Sequence, residues 1–565
     1  MTVAVSRKTP KHETSNERSR EVTAGQPLLK VENLRVAFGN TEVVKGISFS
    51  AKAGRCLAIV GESGSGKSVT ARTLVGLTGD GGRVESDRLE LGGTDLRTLD
   101  ERTWRGIRGN EIGFVLQDAL LSLDQLRRVG DEVGEPLKLH GWGDRRSRPE
   151  RVVELLDSVG VPEPEMRAKQ RPYELSGGLR QRALIASAIA LDPRLVIADE
   201  PTTALDVTVQ AQVLDLLAAS KERGTAIVLI SHDLSVVARL ADEVAVMRDG
   251  EIVEYGETSK VLRDPQHEYT RTLIDAVPSE HTRGIRLVRG TTPSAPRTRR
   301  PIDRGRPLLE GRHLTKVYRG PDGVDRTVVD DVSFELFAGE TLGIVGESGS
   351  GKTTTARIAL AMLEPEGGDV LLRGEPWTTL SVRERRPLRS RVGVVYQDPL
   401  SSFDPRWTVE RILADALSRG PNPPSGAAAR KERVVELLEK VGLGAHQLEA
   451  GPLRLSGGQR QRVAIARALA PEPEIIVCDE PVSALDVSVQ AQVLDLLTDL
   501  QDDLGVSYVF ISHDLGVIHH MSDRVLVMKD GKVVERGTAD DIFTRPQDPY
   551  TQRLLTALPR LEQAS

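Results

Sequence analysis

The sequence predicts an α/β fold with a mainly parallel sheet, and it predicts that fold twice. Three observations carry this. First, short motifs recur at a nearly constant offset. GESGSGK at residues 61–67 returns at 346–352, 285 residues on, and Gln117-Asp118 returns as Gln397-Asp398, 280 residues on. LSGG from Leu175 returns from Leu455, Asp199-Glu200-Pro201 as Asp479-Glu480-Pro481, and Ser231-His232-Asp233 as Ser512-His513-Asp514. An offset that drifts by only five residues over so long a period marks two homologous domains with small loop insertions, not a solenoid. Second, short apolar runs ending in Gly or Asp read as buried parallel strands: CLAIVG and LGIVG, LVIAD and IIVCD, AIVLISHD and SYVFISHD. Third, amphipathic stretches alternate with them. ERVVELLDSVG and ERVVELLEKVG place apolar residues at i, i+3, i+4 and i+7, and strands alternating with such helices imply a parallel sheet.

Composition sets the outer limits. The 565 residues are 39% hydrophobic and 28% charged, which suits several folded domains and excludes a mainly disordered chain. A net charge of -6 argues against a broad nucleic-acid surface. Only two cysteines, Cys56 and Cys478, are present; they lie inside predicted strands and read as small core residues of a reducing compartment. No apolar run is long enough for a membrane span, so any membrane role must come through partners. We expect a flexible tail over residues 1–27, one domain over 28–278, a linker over 279–307, a second domain over 308–559 and a tail over 560–565. The linker holds eight arginines and four prolines, which suit either a solvated tether or contact with anionic lipid headgroups.

The chemistry lies in the repeated motifs. GESGSGKS and GESGSGKT each fit G-x-x-x-x-G-K-[ST] between a strand and a helix, the setting of a phosphate-binding P-loop. The loop residues Gly61, Ser63, Gly64, Ser65 and Gly66, with Gly346, Ser348, Gly349, Ser350 and Gly351, offer backbone N–H groups to phosphate oxygens. Lys67 and Lys352 would reach the β- and γ-phosphates, and Ser68 and Thr353 would offer a hydroxyl to Mg²⁺. Asp199 and Asp479 end apolar strands, where a carboxylate can hold the same ion. Glu200 and Glu480 come next, and strand alternation would turn their side chains away from those aspartates, toward a water attacking the γ-phosphate. His232 and His513 end a third strand, placed for a γ-phosphate contact.

With these motifs assembled, the chain resembles a tandem ATP-binding-cassette (ABC) ATPase over everything outside the tails and linker. The resemblance implies two P-loop NTPase domains, each with an antiparallel β part and a helical subdomain beside the parallel sheet. LSGGLRQR and LSGGQRQR match the family's signature segment, which in the family faces the P-loop of the opposite cassette. Ser456, Gly457 and Gly458 would then complete the Lys67 site, and Ser176, Gly177 and Gly178 the Lys352 site, with two ATP molecules sandwiched between. The resemblance also assigns Gln117 and Gln397 to metal and γ-phosphate sensing, Phe38 and Tyr318 to adenine stacking, and TALD (203–206) and SALD (483–486) to the loops crossing the seam. Neither site lacks a motif residue, so both are expected to hydrolyse ATP.

The stretches 264–278 (DPQHEYTRTLIDAVP) and 545–559 (RPQDPYTQRLLTALP) resemble the C-terminal extension of dipeptide/oligopeptide importer ATPases, a branch that also handles nickel and glutathione. The resemblance implies uptake of di- or oligopeptides, separate membrane permeases, a binding protein outside the membrane, and a place on the membrane's cytoplasmic face. Ala119 and Gln125 stand where the second copy has Pro399 and Pro405, so two different permease chains are expected. No extension carries a cysteine cluster, so no iron–sulfur cluster is expected. The alternative is a tandem ATPase acting on the ribosome; that class carries a long charged helical linker, unlike the short Pro/Arg-rich one here.

Overall fold

The computed structural model describes residues 27–116, 122–202, 205, 207–279, 282–288, 302–320 and 323–557. In the first half, Pro27–Phe38 (β1) pairs antiparallel with Thr41–Lys52 (β2), opening a sheet that the later short strands extend. Cys56–Val60 (β3) then enters the parallel sheet. Gly82–Glu85 (β4), Arg88–Leu91 (β5) and Thr94–Asp95 (β6) belong to the antiparallel part. Ile112–Val115 (β7), Leu195–Asp199 (β8), Ala226–Ile230 (β9) and Glu243–Arg248 (β10) complete the parallel sheet, and Glu251–Glu257 (β11) closes its edge antiparallel. The order is β11-β10-β3-β9-β8-β7.

The second half repeats this plan. Leu309–Arg319 (β12), Asp325–Leu336 (β13), Gly367–Leu372 (β15) and Glu375–Pro376 (β16) form the antiparallel part, with Thr341–Val345 (β14) lying in the parallel sheet. Val392–Val395 (β17), Ile475–Asp479 (β18), Ser507–Ile511 (β19), Arg524–Lys529 (β20) and Lys532–Thr538 (β21) give the order β21-β20-β14-β19-β18-β17. The α/β expectation therefore holds in both halves.

The apolar strand runs have a direct cause. β3 is buried on both faces: Cys56, Ala58 and Val60 pack into one core, and Leu57 and Ile59 into the other. A strand covered on both sides cannot show polar alternation. In the helix Ser147–Ser158, Val152, Leu155 and Leu156 are buried, the i, i+3, i+4 stripe read from the sequence. Helices of this kind fill the span between β7 and β8, and between β17 and β18, as a helical layer beside the sheet. Cys56 and Cys478 are buried, and burial pushes both thiols well up from their ordinary range, as suits inert core residues.

The arginine-rich segment is partly docked: Arg304 and Arg306 are exposed, as a solvated tether would be, whereas Arg283 and Arg286 are paired. Arg283 pairs with Asp540 at 2.8 Å and with Asp523 at 3.5 Å, and Arg286 pairs with Asp499 at 2.6 Å. The Leu287 and Val288 N–H groups donate to the Asp495 carboxylate, and Leu287 is buried in the second half's core. These two arginines are engaged by acids of the second half, although the Arg286 side chain stays partly exposed. The arginines at 289, 297, 299 and 300 lie outside the described residues. Among the described residues, no helix is long and apolar enough to cross a membrane.

Candidate active site

The parallel strands end at one edge of each sheet, and the P-loops, the strand-end acids and the histidines sit there, as ligand sites in open α/β sheets do. Register brings them together: Ile59 pairs with Ile230, and Ile230 with Asp199. The loop after β3, the acids after β8 and the histidine after β9 are thus adjacent by backbone pairing alone. The same register in the second half pairs Ile344 with Ile511, and Ile511 with Asp479.

The P-loop folds over its own lysine. Lys67 Nζ donates to the Gly61 and Glu62 carbonyls, both at 2.8 Å; Lys352 Nζ donates to Gly346 at 2.7 Å and Glu347 at 2.8 Å. Burial lowers the Lys67 pKa, opposed by Glu200, Asp486 and Asp199. Asp486 belongs to the second half's seam loop, so that loop lies near enough to the first P-loop to act on its lysine. At the second, Thr208 Oγ1, just beyond the first half's seam loop, donates to the carboxylate of the P-loop residue Glu347.

Ser68 Oγ donates to Asp199 Oδ1 at 3.1 Å, and Thr353 Oγ1 to Asp479 Oδ1 at 3.2 Å. Burial raises the Asp199 carboxyl to about 6, and Asp479 moves the same way. Asp199 Oδ2 is buried with no hydrogen-bond partner. A buried carboxylate oxygen without a donor, beside a hydroxyl, suits a hard divalent cation such as Mg²⁺.

Glu200 and Glu480 do not continue the strand alternation expected of them. Each strand ends at its aspartate, and each glutamate sits in the left-handed region, at φ 49° and 50°. Such strain in a non-glycine residue concentrates at functional sites, and here the turn aims the carboxylate at the histidine. His232 Nδ1 lies 3.3 Å from Glu200 Oε1, and His513 Nδ1 lies 3.2 Å from Glu480 Oε2. Burial opposes charge on both histidines, but their glutamates outweigh it and raise both pKa values. Glu480 is correspondingly lowered: burial pushes it up, but the His513 hydrogen bond and charge, with Lys352 and Ser483, together more than offset that. Gln397 Nε2 donates to Glu480 Oε2 at 2.9 Å. Gln117 lies outside the described residues, as do Thr203, Ala204 and Asp206 of the seam loop.

A cleft of about 670 Å³ joins Lys352, Thr353, Gln397, Glu480 and His513. Leu205 of the first half lines it, and so does Gly457 of the second half's own signature; Ser176, Gly177 and Gly178 do not. The signature serines cap their helices, Ser456 Oγ accepting from Gln459 N at 3.2 Å and Ser176 Oγ from Leu179 N at 3.4 Å. Gln459 also returns a bond to Ser456 N, a capping box that Leu179 cannot complete. A Cβ at Gly458 would lie 2.5 Å from Val489, so this glycine is demanded by packing within its own half as well. Phe38 packs at the edge of the first core, and Tyr318 is 41% exposed with Lys316 Nζ 5.7 Å from its ring.

The ABC transporter family profile matches residues 44–203 and 329–483, spanning the P-loop and the strand-end acids in each half. A profile described as the oligopeptide/dipeptide transporter C-terminal region matches residues 253–304 and 534–565. The chain belongs to the ABC transporter family. This tandem ATPase is 42% identical over 575 residues to the glutathione import ATP-binding protein GsiA of Escherichia coli strain K12, covering 96% of this chain and 91% of that one. GsiA of Shigella boydii serotype 4 matches to the same extent. A solved dimeric structure of the ATP-binding cassette MJ0796 with ADP and Pi is 30% identical over 41% of this chain and 99% of its own, with a TM-score of 0.38.

Sequence reasoning missed one set of residues in this ABC ATPase. Tyr269 and Tyr550, in the extensions, each place a hydroxyl 3.1 Å from the N–H of the second P-loop residue, Glu62 and Glu347. The tyrosines occupy matching places in the two extension motifs, and that was the available signal; their contact with a loop more than 200 residues away was not.

Proposed function

We propose that this chain is the energy-coupling subunit of an importer of short peptides, glutathione among them. The observation that carries the reading is the oligopeptide/dipeptide C-terminal region behind both cassettes, together with 42% identity along nearly the whole chain to proteins named for glutathione import. ATP binds at Lys67 and Lys352; the opposite signatures, Ser456 with Gly458 and Ser176 with Gly178, close over the two nucleotides. Glu200 and Glu480 orient and deprotonate the attacking water, and His232 and His513 fix those carboxylates and face the γ-phosphate. Mg²⁺, held by Asp199 with Ser68 and by Asp479 with Thr353, would neutralise phosphate charge. Gln117 and Gln397 report the state of each site to the loops behind them.

Those loops meet two different permease chains at the cytoplasmic face of the membrane, and a binding protein outside delivers the solute. Support comes from how differently the loops are built. In the second cassette Phe403 is buried beneath Arg467, 5.0 Å from its ring, and Arg467 Nη1 donates to Ser402 O at 2.7 Å, leaving Arg406 86% exposed. The matching stretch of the first cassette presents Leu126, 80% exposed, in the place of Arg406.

Deleting the gene and measuring uptake of labelled glutathione, dipeptides and oligopeptides tests the reading. Loss of uptake of at least one of these, restored by the wild-type gene but not by the Lys67→Ala/Lys352→Ala form, is expected. Unchanged uptake of all three, with the tagged chain co-isolating with ribosomes, would overturn it.

A further inference from the structure

The extension helices do more than follow the cassettes. Glu268–Asp275 packs against Val487–Leu504 of the second cassette, and Pro549–Ala557 packs against Val207–Glu222 of the first. Each partner helix begins directly after a seam loop. Each extension helix also carries the buried tyrosine that accepts the P-loop N–H of its own cassette. One short helix therefore touches its own nucleotide loop on one side and the opposite cassette on the other.

At the second site a further contact closes a circuit. Glu347 donates its N–H to Tyr550 Oη at 3.1 Å, its carbonyl accepts from Lys352 Nζ at 2.8 Å, and its carboxylate accepts from Thr208 Oγ1 across the seam. The phosphate-seeking lysine, the extension and the opposite cassette thus converge on one residue. The first site lacks the matching clasp. Ser488 occupies the place of Thr208, and its hydroxyl is buried without a hydrogen-bond partner among the described residues. The first extension is fixed in another way: Ala276 is buried in the second cassette's core, and a Cβ at Gly516 would meet the Pro278 carbonyl at 2.6 Å.

We propose that Tyr550, Glu347 and Thr208 form a positioning relay that ties the shape of the second ATP loop to closure of the seam, with Tyr269 holding the first loop by the extension alone. None of the three is a catalytic residue: they act through the P-loop backbone and Lys352. The inference rests on the P-loops being the ATP sites and is independent of which solute is imported.

Steady-state ATP hydrolysis by the full-length chain tests the relay. Tyr550→Phe keeps the ring and removes only the acceptor; Thr208→Val removes the donor across the seam. Loss of one such bond corresponds to about a 2- to 10-fold change. Each variant should raise KM for ATP within that range, leave kcat within about twofold, and lower the Hill coefficient for ATP. The double variant should be no worse than the weaker single variant, because the two residues act through one contact chain. Thr208→Ser, which keeps the hydroxyl, should restore the parent KM. A parent KM and Hill coefficient in both single variants would overturn the relay, as would fully additive effects. If Tyr550→Phe does not fold, Thr208→Val against Thr208→Ser decides alone. A parent chain without ATP-dependent turnover would count instead against the ATP-site reading.

Discussion

Glu200→Gln lowers ATP turnover at the first site, and Glu480→Gln at the second, each by ~10²–10⁴-fold, the scale of losing a general base. Glutamine keeps the shape but cannot take a proton from water. The geometry makes the loss specific. Each glutamate sits on a left-handed turn at a strand end, and its carboxylate is held 3.2–3.3 Å from a histidine nitrogen. At the second site Gln397 adds a 2.9 Å donor, fixing the same oxygen. Fold and nucleotide binding should survive both substitutions, since neither removes a core contact or a phosphate donor. Because no motif residue is missing from either half, each single variant should depress the activity of the whole chain. Full activity in either one would end the view that both sites are competent.

Gly346→Ala should abolish tight ATP binding at the second site and cost about 2–3 kcal/mol of stability, the combined scale of backbone strain and overpacking. Gly346 has φ 157°, and a Cβ there would lie 2.1 Å from the Met528 carbonyl oxygen. That oxygen belongs to β20, which is bonded parallel to β14 up to Val345–Val527, so neither strand can yield without breaking the ladder end. Gly61 faces the Met247 carbonyl at the same distance, and Gly61→Ala should behave alike. Gly349 provides the contrast. Its φ is 82°, but nothing lies within 4 Å of its would-be Cβ, so Gly349→Ala carries only the left-handed penalty of about 1–2 kcal/mol. Thermal unfolding and ATP titration of the two variants side by side check the ranking; equal losses would contradict it.

Much of this was legible because it is periodic or repeated. The buried strands announced themselves as apolar runs, and their parallel register carried Lys67, Asp199 and His232 to one sheet edge without further information. The duplication made each reading a test of the other. What escaped the sequence was geometry set by tertiary contact. Alternation was the expectation for Glu200, but the backbone turns left-handed there instead of extending the strand, and the carboxylate meets His232. The Tyr269 and Tyr550 hydroxyls reach loops far away in the chain, a pairing that no local pattern encodes. Arg283 and Arg286 read as part of a free basic stretch, since the acids that engage them, Asp540, Asp523 and Asp499, lie in another domain. The pairing of each signature with the opposite P-loop came from the family resemblance, and here the second cleft is lined by Gly457 of its own half.

That pairing is the centre of the account: one chain supplies both halves of the ATP sandwich. The most direct measurement is the number of ATP molecules retained per chain by the Glu200→Gln/Glu480→Gln form, with the mass of the complex in solution. Two nucleotides held by a single chain is the predicted result. One nucleotide per chain, or two retained only when chains pair with one another, would contradict it.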